Sequence, residues 1–405
     1  MTRRPIPGGV TAPLGFQASA CAAGIKPLSS RADVAFVVSD RSATSAGVFT
    51  TNLVRAAPVL WSQRVVRGRK GARAILINSG NANACTGGEG HRAVRRSASA
   101  AARVIGCRAN EILIGSTGVI GVPLPTDRLL AALPRLAGAL TRSPRGSAAA
   151  ARAIMTTDTR SKFHAVSVRA GRRTYTVGGM AKGSGMIHPN MATMLAVLTT
   201  DAPIGPAQAQ RLLRAAADRS FNAVTVDGDT STNDCVLLLA NGAAGGRVRP
   251  GSGIERAIAG AMEDVCGALA EKIAADGEGA SKLLVVRVTG ARSARQARAV
   301  ARAVASSPLV KSAVHGGDPN WGRVFAAAGR AGVPLHPPRL DLRIGKHWVA
   351  LGGAVHAKGE APAARHLKGR RVEMELRLGS GTAESFALGC DLSAEYVEIN
   401  ARYRS

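Results

Sequence analysis

Aromatic residues are scarce in this chain. They make up 3% of its 405 residues, whereas hydrophobic residues of all kinds make up 46%. The core must therefore be built from Ala, Val, Leu and Ile side chains, which suit closely packed sheets and helices. A chain of this length can bury a large core, and its length allows roughly two or three domains.

Cysteine is also sparse, and its spacing excludes common metal and redox sites. The six cysteines, at positions 21, 85, 107, 235, 266 and 390, include no Cys-x-x-Cys pair. This argues against a zinc ribbon or a redox pair and favours reduced thiols in the cytosol. The eight histidines form no HxxxH or HExxH spacing, so we expect no catalytic metal.

Long apolar runs are missing as well. No segment approaches about 18 apolar residues without a charge or a breaker, so we expect no membrane span. Proline and glycine interrupt the N-terminal residues before any apolar run reaches the length of a signal peptide. We therefore expect a cytoplasmic protein.

Acidic residues are outnumbered by basic ones. The chain has 54 Lys and Arg against 26 Asp and Glu, a net charge of +28. Such a charge attracts phosphate backbones, so nucleic-acid binding is one hypothesis. The basic residues are spread along the chain, however, and the short clusters at 67–73 and 292–302 lack interleaved aromatics. A basic surface that gathers anionic metabolites is the favoured interpretation.

Short apolar runs and longer stretches with three-to-four spacing predict a layered α/β fold. The predicted strands are residues 34–38, 74–77, 112–114, 194–198, 236–239, 283–288 and 396–399, and the predicted helices are residues 91–105, 126–140, 206–219 and 252–275. The Ala/Arg-rich stretch 129–152 is interpreted as variable surface. Two polar loops, 78–83 and 227–234, are typical either of hydrogen-bonded turns or of a site.

The glycine-rich segment 178–196 carries the clearest chemical signal. It is no phosphate loop, because Lys182 precedes its glycine, and the dinucleotide fingerprint fails after Gly185. The segment instead offers a turn-forming approach to Thr193, which begins an apolar strand, with Pro189 fixing one backbone angle. Such a geometry could strain the peptide bond before Thr193.

An N-terminal threonine would solve the problem that a neutral hydroxyl is a weak nucleophile. If the Thr193 hydroxyl attacked the carbonyl of Ala192 and water then released the ester, Thr193 would carry a free α-amine. Such an amine titrates near about 7.7–8.0, so it can accept the hydroxyl proton close to neutral pH. From the residues alone, Thr193 could equally be an ordinary strand residue beside a glycine loop.

Residues 182–195, Lys-Gly-Ser-Gly-Met-Ile-His-Pro-Asn-Met-Ala-Thr-Met-Leu, resemble the cleavage-site signature of the ornithine acetyltransferase (ArgJ) family of arginine biosynthesis. The likeness continues through residues 24–26, 46–52, 78–87, 116–121, 225–234, 276–280, 317–323 and 396–405. The resemblance implies an autocatalytically cleaved glutamate N-acetyltransferase, which moves acetyl from N-acetyl-L-ornithine to L-glutamate. It implies no cofactor and leaves open whether acetyl-CoA is a second donor.

The resemblance also implies the residues of the site. Cleavage between Ala192 and Thr193 would free the nucleophile, and Thr117 with Gly118 would stabilise the oxyanion. The implied substrate contacts are Thr159, Lys182, Thr193, Glu278, Asn400 and Ser405. A lysine suits a substrate carboxylate and a glutamate suits a substrate ammonium. Two positions depart from the family pattern: Ser405 stands in place of the usual terminal Thr, and Arg402 in place of a common Asp.

The same resemblance implies an α chain of residues 1–192 and a β chain of residues 193–405, which pair into a heterotetramer of two α and two β chains. A smaller subdomain is expected from about residue 281. Two alternatives stay open at this point: a related self-processing amidase or aminopeptidase, and a basic nucleic-acid-binding protein.

Overall fold

The structure is a computed structural model and describes residues 2–26, 29–188 and 194–402. The predicted cleavage site at Ala192 and Thr193 and the predicted substrate contact Ser405 lie outside the described residues.

Within the described residues, nine strands form a first sheet. They are β1 (Arg3–Pro5), β2 (Phe16–Cys21), β3 (Val34–Phe49), β4 (Ala72–Asn81), β5 (Ile112–Val119), β6 (Lys162–Ala170), β7 (Arg173–Lys182), β8 (Leu195–Thr200) and β9 (Cys235–Ala240). Their order is β1-β6-β7-β8-β9-β3-β4-β5, and β2 also pairs with β3.

Strand β3 joins two halves of this sheet. Its first part pairs with β2 and β4, and its second part pairs with β9. The register with β4 shifts between Val38 and Ala43. Because such an irregularity bends a strand, β3 can pass from one half of the sheet to the other.

The two halves pack face to face between helices. The helices are α1 (Ala57–Arg67), α2 (Gly87–Ile105), α3 (Thr126–Gly138), α4 (Pro144–Ala153), α5 (Pro206–Asp218), α6 (Gly253–Ala275), α7 (Ala294–Ala305), α8 (Pro308–Gly316), α9 (Trp321–Gly329), α10 (Glu360–Leu367) and α11 (Ala394–Arg402). Helices α5 and α6 cover the half that contains β6–β9, and α2 and α3 cover the half that contains β4 and β5.

Strand β8 shows why the layers form. Leu195 and Val197 pack with residues of β2 and β4, whereas Ala196 and Leu198 pack with residues of α5 and α6. Successive side chains of a strand point to opposite faces, so an uninterrupted apolar run buries both faces of its sheet. The predicted layered α/β fold is confirmed.

A second sheet follows in the chain. It contains β10 (Leu283–Ala291), β11 (Asp341–Ile344), β12 (His347–Leu351), β13 (Ala354–Val355), β14 (Arg371–Arg377) and β15 (Ala383–Cys390), in the order β13-β12-β11-β14-β10-β15. Its strands share an apolar cluster with α7, α9 and α10. The Thr225 amide donates to the carbonyl of Leu388 at 2.8 Å, which ties this sheet to a loop of the first.

Two expectations from the sequence were wrong. Residues 396–399 lie in helix α11, not in a strand; a four-residue stretch with three apolar side chains is too short for its periodicity to distinguish a helix from a strand. The Ala/Arg-rich stretch 129–152 is not mere surface, because α3 buries Leu129, Leu133 and Leu136 and α4 buries Ala150. Its arginines are all exposed: Arg135 lies in α3, Arg145 and Arg152 lie in α4, and Arg142 lies between the two helices.

In the described ranges, no helix combines the length and apolar character needed to cross a bilayer.

Candidate active site

One pocket brings together most of the site residues expected from the sequence. It is lined by Ala82, Thr117, Gly118, Ile120, Thr156, Thr157, Lys182, Gly185, Met186, Ser231, Asn233, Glu278 and Asn400. The expected residues Thr117, Gly118, Lys182, Glu278 and Asn400 are all in this set. They come from β5, β7, the loop after α6 and helix α11, so only the folded chain places them together.

Thr117 and Gly118 lie near the end of β5, beside β4. Gly118 has φ +132°, which only glycine adopts readily. A side chain there would also collide with the backbone of Gly80 and Asn81. Thr117 is buried, and its hydroxyl accepts a hydrogen bond from Lys182 Nζ at 3.3 Å. The hydroxyl proton of Thr117 is therefore left to donate into the pocket.

Lys182 ends β7 and is 3% exposed. Burial lowers the pKa of its ammonium, and the nearby carboxylate of Asp158 works in the opposite direction. Asp158 is itself held in place, because its Oδ1 accepts from the Gly183 amide and from Lys162 Nζ, both at 2.7 Å. Burial would raise the pKa of Asp158, but the charges of Lys182 and Lys162, together with the hydrogen bonds from Lys162 and the Gly183 amide, lower it.

Lys162 links two acidic side chains behind the pocket. It is 1% exposed and forms ion pairs with Asp158 and Asp276. Neither motif nor spacing singled out Lys162, Asp158 or Asp276, because an isolated Lys or Asp is usually at the surface. The structure shows that Lys162 joins Asp276 to Asp158, and that Asp158 in turn accepts from the amide of Gly183, next to Lys182.

Replacing Lys162 with Met should destabilise the protein strongly, because it leaves two buried carboxylates without their cation. Removing one partner of a buried ion pair typically costs about 3–5 kcal/mol. We expect this loss in the free energy of unfolding, measured by urea denaturation. The matched control is Lys272→Met, since Lys272 is exposed and its Nζ donates to the carbonyl of Phe163 at 2.7 Å and not to a buried carboxylate of the described residues. Equal losses in the two variants would contradict the role given to Lys162.

Glu278 and Asn400 line the pocket next to each other. The Asn400 side-chain amide donates to Glu278 Oε2 at 2.9 Å, and the Glu278 amide donates to the carbonyl of Ser184 at 2.8 Å. A side chain at Gly185 would collide with the Glu278 carboxylate. The glycines of the segment therefore let the main chain pass directly beneath this carboxylate.

Thr159, an expected substrate contact, is not among the residues that line the pocket. It is exposed, and its hydroxyl donates to the carboxylate of Asp276. Thr156 and Thr157 line the pocket in its place, and the Thr157 hydroxyl is 2.7 Å from that of Ser184. Thr156, Thr157 and Thr159 lie within four residues, and the sequence pattern does not indicate which of them lines the pocket.

Asn233 is a pocket residue that sequence reasoning did not single out. Its side-chain amide donates to the carbonyls of Ala82 at 2.6 Å and Ser116 at 2.9 Å. It therefore fastens the loop before β9 to β5, next to Thr117. The sequence feature that could have indicated Asn233 was the polar loop 227–234, but the residue pattern alone does not distinguish a site loop from an ordinary turn.

The residues on either side of 189–193 are anchored by two carboxyl groups, that of the buried Asp234 and that of the half-buried Asp227. The amides of Met186 and Ile187 donate to Asp227, the latter at 2.8 Å. The Met194 amide donates to Asp234 Oδ1 at 2.8 Å. Burial raises the pKa of both carboxyls, that of Asp234 well above its ordinary value.

Across the described part of the chain, no three His, Cys, Asp or Glu side chains cluster as a metal site would require.

Comparison with known proteins identifies the family. The sequence profile of the ArgJ family matches residues 17–405. The arginine biosynthesis bifunctional protein ArgJ of Symbiobacterium thermophilum is 51% identical over 403 residues, which are 98% of this chain and 99% of that protein. Its counterpart from Gloeobacter violaceus is 49% identical over 401 residues, 98% of each chain. A crystal structure of the Bacillus halodurans protein of that name, 39% identical, aligns over 51% of this chain and 97% of its own with a TM-score of 0.49. This chain belongs to the ArgJ family.

Proposed function

We propose that this chain is a self-cleaving acetyltransferase that moves acetyl from N-acetyl-L-ornithine to L-glutamate, with Thr193 as the nucleophile. The proposal rests on the observation that Thr117, Gly118, Lys182 and Glu278 line one and the same pocket. Family membership supports the same function, because the relatives are named for arginine biosynthesis.

The two charged side chains of the pocket suit amino-acid substrates. The Lys182 ammonium can bind a substrate carboxylate, and the Glu278 carboxylate can bind a substrate ammonium. Both groups occur in N-acetylornithine and in glutamate. Because the two side chains are buried, water competes weakly for these pairs.

Self-cleavage supplies the nucleophile. The hydroxyl of Thr193 attacks the carbonyl carbon of Ala192, the C–N bond breaks, and the Thr193 nitrogen keeps its proton and gains the hydroxyl proton. Water then hydrolyses the resulting ester. The products are a carboxylate at Ala192 and a Thr193 with a free α-amine and a free hydroxyl.

Acetyl transfer then proceeds in two halves. The Thr193 α-amine takes the hydroxyl proton while the oxygen attacks the acetyl carbonyl of N-acetylornithine, and the same proton passes to the departing nitrogen of ornithine. In the second half, the neutral amine of glutamate attacks the acetyl ester, the bond from the acetyl carbon to the Thr193 oxygen breaks, and a proton passes from the glutamate nitrogen through the Thr193 α-amine to that oxygen. The products are N-acetylglutamate and the free hydroxyl. The Thr117 hydroxyl and the Gly118 amide donate to the oxyanion of each tetrahedral intermediate, and one such donor is worth about 2.7–4 kcal/mol.

The two products of the cut should stay together and act as a heterotetramer of two α and two β chains. The pairing of β7 with β8, from Lys182↔Leu195 to Val177↔Thr200, supports the first part of this proposal. Residues before and after 189–193 are thus joined by main-chain hydrogen bonds. A cytoplasmic location remains a prediction, supported by the scattered cysteines.

Product analysis tests the proposed reaction. Purified protein is incubated with N-acetylornithine carrying a ¹³C-labelled acetyl group, with and without glutamate, and the products are followed by NMR. We expect labelled N-acetylglutamate and ornithine in equal amounts, formed only when glutamate is present. Labelled acetate released at a rate independent of glutamate would instead indicate an amidase.

We propose acetyl-CoA as a second donor, and a further incubation tests this. The relatives are named bifunctional, which supports a second activity. With acetyl-CoA and glutamate but no N-acetylornithine, N-acetylglutamate and free CoA should appear together. If neither N-acetylglutamate nor free CoA appears in a preparation that transfers acetyl from N-acetylornithine, the enzyme does not use acetyl-CoA as a donor.

A further inference from the structure

A large groove outside the active-site pocket has no role in the chemistry described so far. It lies between helices α1 and α5, along the second half of β3, and has a volume of about 900 Å³. Small-molecule sites typically have volumes of about 300–1,000 Å³. Four arginines are among the residues that line the groove: Arg67, Arg69, Arg211 and Arg214. A smaller depression beside it shares Arg69 and adds Lys70.

The positive charges of this groove are not neutralised by the described part of the chain. Arg211 pairs with Glu255, but Arg67, Arg69 and Arg214 form no ion pair with any described residue. Like charges gathered around one cavity repel one another, and a bound anion relieves that repulsion. The groove therefore has the electrostatic character of an anion-binding site.

The N-terminal end of α5 adds to this character. Pro206 and Ala207, its first two residues, line the groove, and within the described residues no side chain caps this end of the helix. Free amides at a helix N-terminus attract phosphate groups, and so do arginines. Asp218, at the opposite end of α5, is the one acidic residue of the described lining, and its Oδ1 accepts from the side-chain amide of Asn222 at 2.7 Å. A ligand with several phosphates suits such a groove.

The groove ends near the active-site pocket. Phe49, the last residue of β3, lines the groove and pairs with Cys235, which in turn pairs with Leu195, the first residue of β8. Neighbouring strands lie about 4.7–4.9 Å apart, so the main chains of Phe49 and Leu195 are about 9–10 Å apart. Lys182, which lines the pocket, is one strand further. Groove and pocket thus lie at the same end of the first sheet.

The loop after β3 connects the groove with the pocket. Thr51 lines the groove, and the hydroxyl of Thr50 donates to the carbonyl of Ser231, a pocket residue, at 2.8 Å. Leu53 and Val54 follow on this loop, and both are exposed. The surface between groove and pocket is therefore partly apolar.

We propose that this groove binds the phosphate groups of acetyl-CoA, while the pantetheine arm extends along the loop after β3 and places the acetyl group in the pocket. This inference rests on the proposed function, in which acetyl-CoA is the second donor. From the diphosphate to the sulfur, CoA has about twelve bonds, as many as four residues of main chain, so its extended arm spans about 13–14 Å. That length covers the distance between the end of the groove and the start of β8.

The acetyl group then leaves the thioester in the pocket. The Thr193 oxygen attacks the acetyl carbonyl, the bond from that carbon to sulfur breaks, and the hydroxyl proton passes through the Thr193 α-amine to the sulfur. The products are the acetyl ester of Thr193 and the free thiol of CoA, and glutamate takes the acetyl group from the ester. N-acetylornithine has no phosphate, so the groove serves the second donor alone.

The test compares two triple variants, each of which lacks three positive charges. The groove variant is Arg67→Gln, Arg69→Gln and Arg214→Gln. The control changes the other basic cluster of the sequence, at α7, whose three chosen arginines also form no ion pair with described residues: Arg292→Gln, Arg295→Gln and Arg298→Gln. We expect the groove variant to raise KM for acetyl-CoA about tenfold or more, because losing one hydrogen bond to a charged group has an effect of about this size. Its kcat and KM with N-acetylornithine, and all constants of the control, should stay within about twofold of wild type.

A competition experiment tests the groove without any substitution. Adenosine 3′,5′-bisphosphate, which has phosphates of CoA but no thiol, should inhibit the wild type competitively against acetyl-CoA. It should inhibit the groove variant about tenfold more weakly, and adenosine should inhibit neither. Unfolding midpoints of both variants show whether their stabilities match that of the wild type.

Each outcome decides the inference. It is overturned if the groove variant keeps its KM for acetyl-CoA, if the control raises that KM as much, or if the groove variant loses transfer from N-acetylornithine to the same degree. Loss of oligonucleotide binding at an unchanged KM for acetyl-CoA would instead make the groove a nucleic-acid site. A wild type that transfers acetyl from N-acetylornithine but not from acetyl-CoA refutes the second donor and this inference with it. Normal use of acetyl-CoA by wild type and groove variant alike refutes this inference alone.

Discussion

Replacing Thr193 with Ala is expected to leave a single uncut chain of 405 residues and to abolish acetyl transfer. The variant lacks the oxygen that attacks in self-cleavage and therefore never gains the α-amine that serves as base. Removing a nucleophile of this kind typically lowers kcat by a factor on the order of 10³–10⁶. Denaturing electrophoresis should show two fragments, residues 1–192 and 193–405, for the wild type and one band for the variant.

Two controls accompany this experiment. Thr193→Ser keeps a hydroxyl and should retain partial cleavage. Thr199→Ala removes a buried hydroxyl from strand β8, where it donates to the carbonyl of Val10 at 2.8 Å, and should cleave completely. Two fragments from Thr193→Ala, or an intact mass for fully active wild type, would contradict the mechanism.

Replacing Thr117 with Ala should lower kcat by about 10²–10³-fold while leaving KM nearly unchanged. The Thr117 hydroxyl accepts from Lys182, so its own proton is directed to the pocket, where charge develops only in the tetrahedral intermediate. Loss of an interaction made only there affects kcat and not ground-state binding. Steady-state kinetics with N-acetylornithine and glutamate measure both constants on the cleaved fraction.

Ser116→Ala is the matched control for Thr117→Ala. Ser116 is the preceding residue of β5, is buried, and its hydroxyl donates to Asn78 Oδ1 at 2.6 Å, away from the pocket. It should cost stability without changing kcat by more than about twofold. A rise in KM for Thr117→Ala at constant kcat would instead make Thr117 a substrate-binding residue.

Much of the layered core could be predicted from apolar patterns, because strands that are buried on both faces of a sheet consist mainly of apolar residues. Residues 195–198 of β8 and all residues of β9 form continuous apolar runs, which predict strands. Strand β6 carries Lys162, His164 and Ser167 among its apolar residues and gave no comparable signal. Helix α11 was mistaken for a strand because it buries none of its described residues fully, so no long apolar periodicity exists to identify it.

The site could be anticipated only in part, because spacing along a sequence contains no distances. The glycine-rich segment pointed to Thr193 by its chemistry, whereas Thr117, Glu278 and Asn400 followed only from the family resemblance. Their roles stay predictions, although the pocket brings the three together. The buried ion pairs of Lys162 near Lys182 could not be predicted from the sequence, because only the packing of the folded chain shows that Lys162 is buried.

The order of strands in the first sheet has a consequence for how the cut enzyme could refold. Strands β8 and β9 lie between β7 and β3, so two strands after the proposed cut are inserted between strands that precede it. A precursor assembles this arrangement within one molecule, whereas separated fragments must first meet, and bimolecular assembly depends on concentration. Once unfolded, the cut enzyme would therefore refold at a rate that depends on protein concentration, whereas the uncut precursor would refold at a rate that does not.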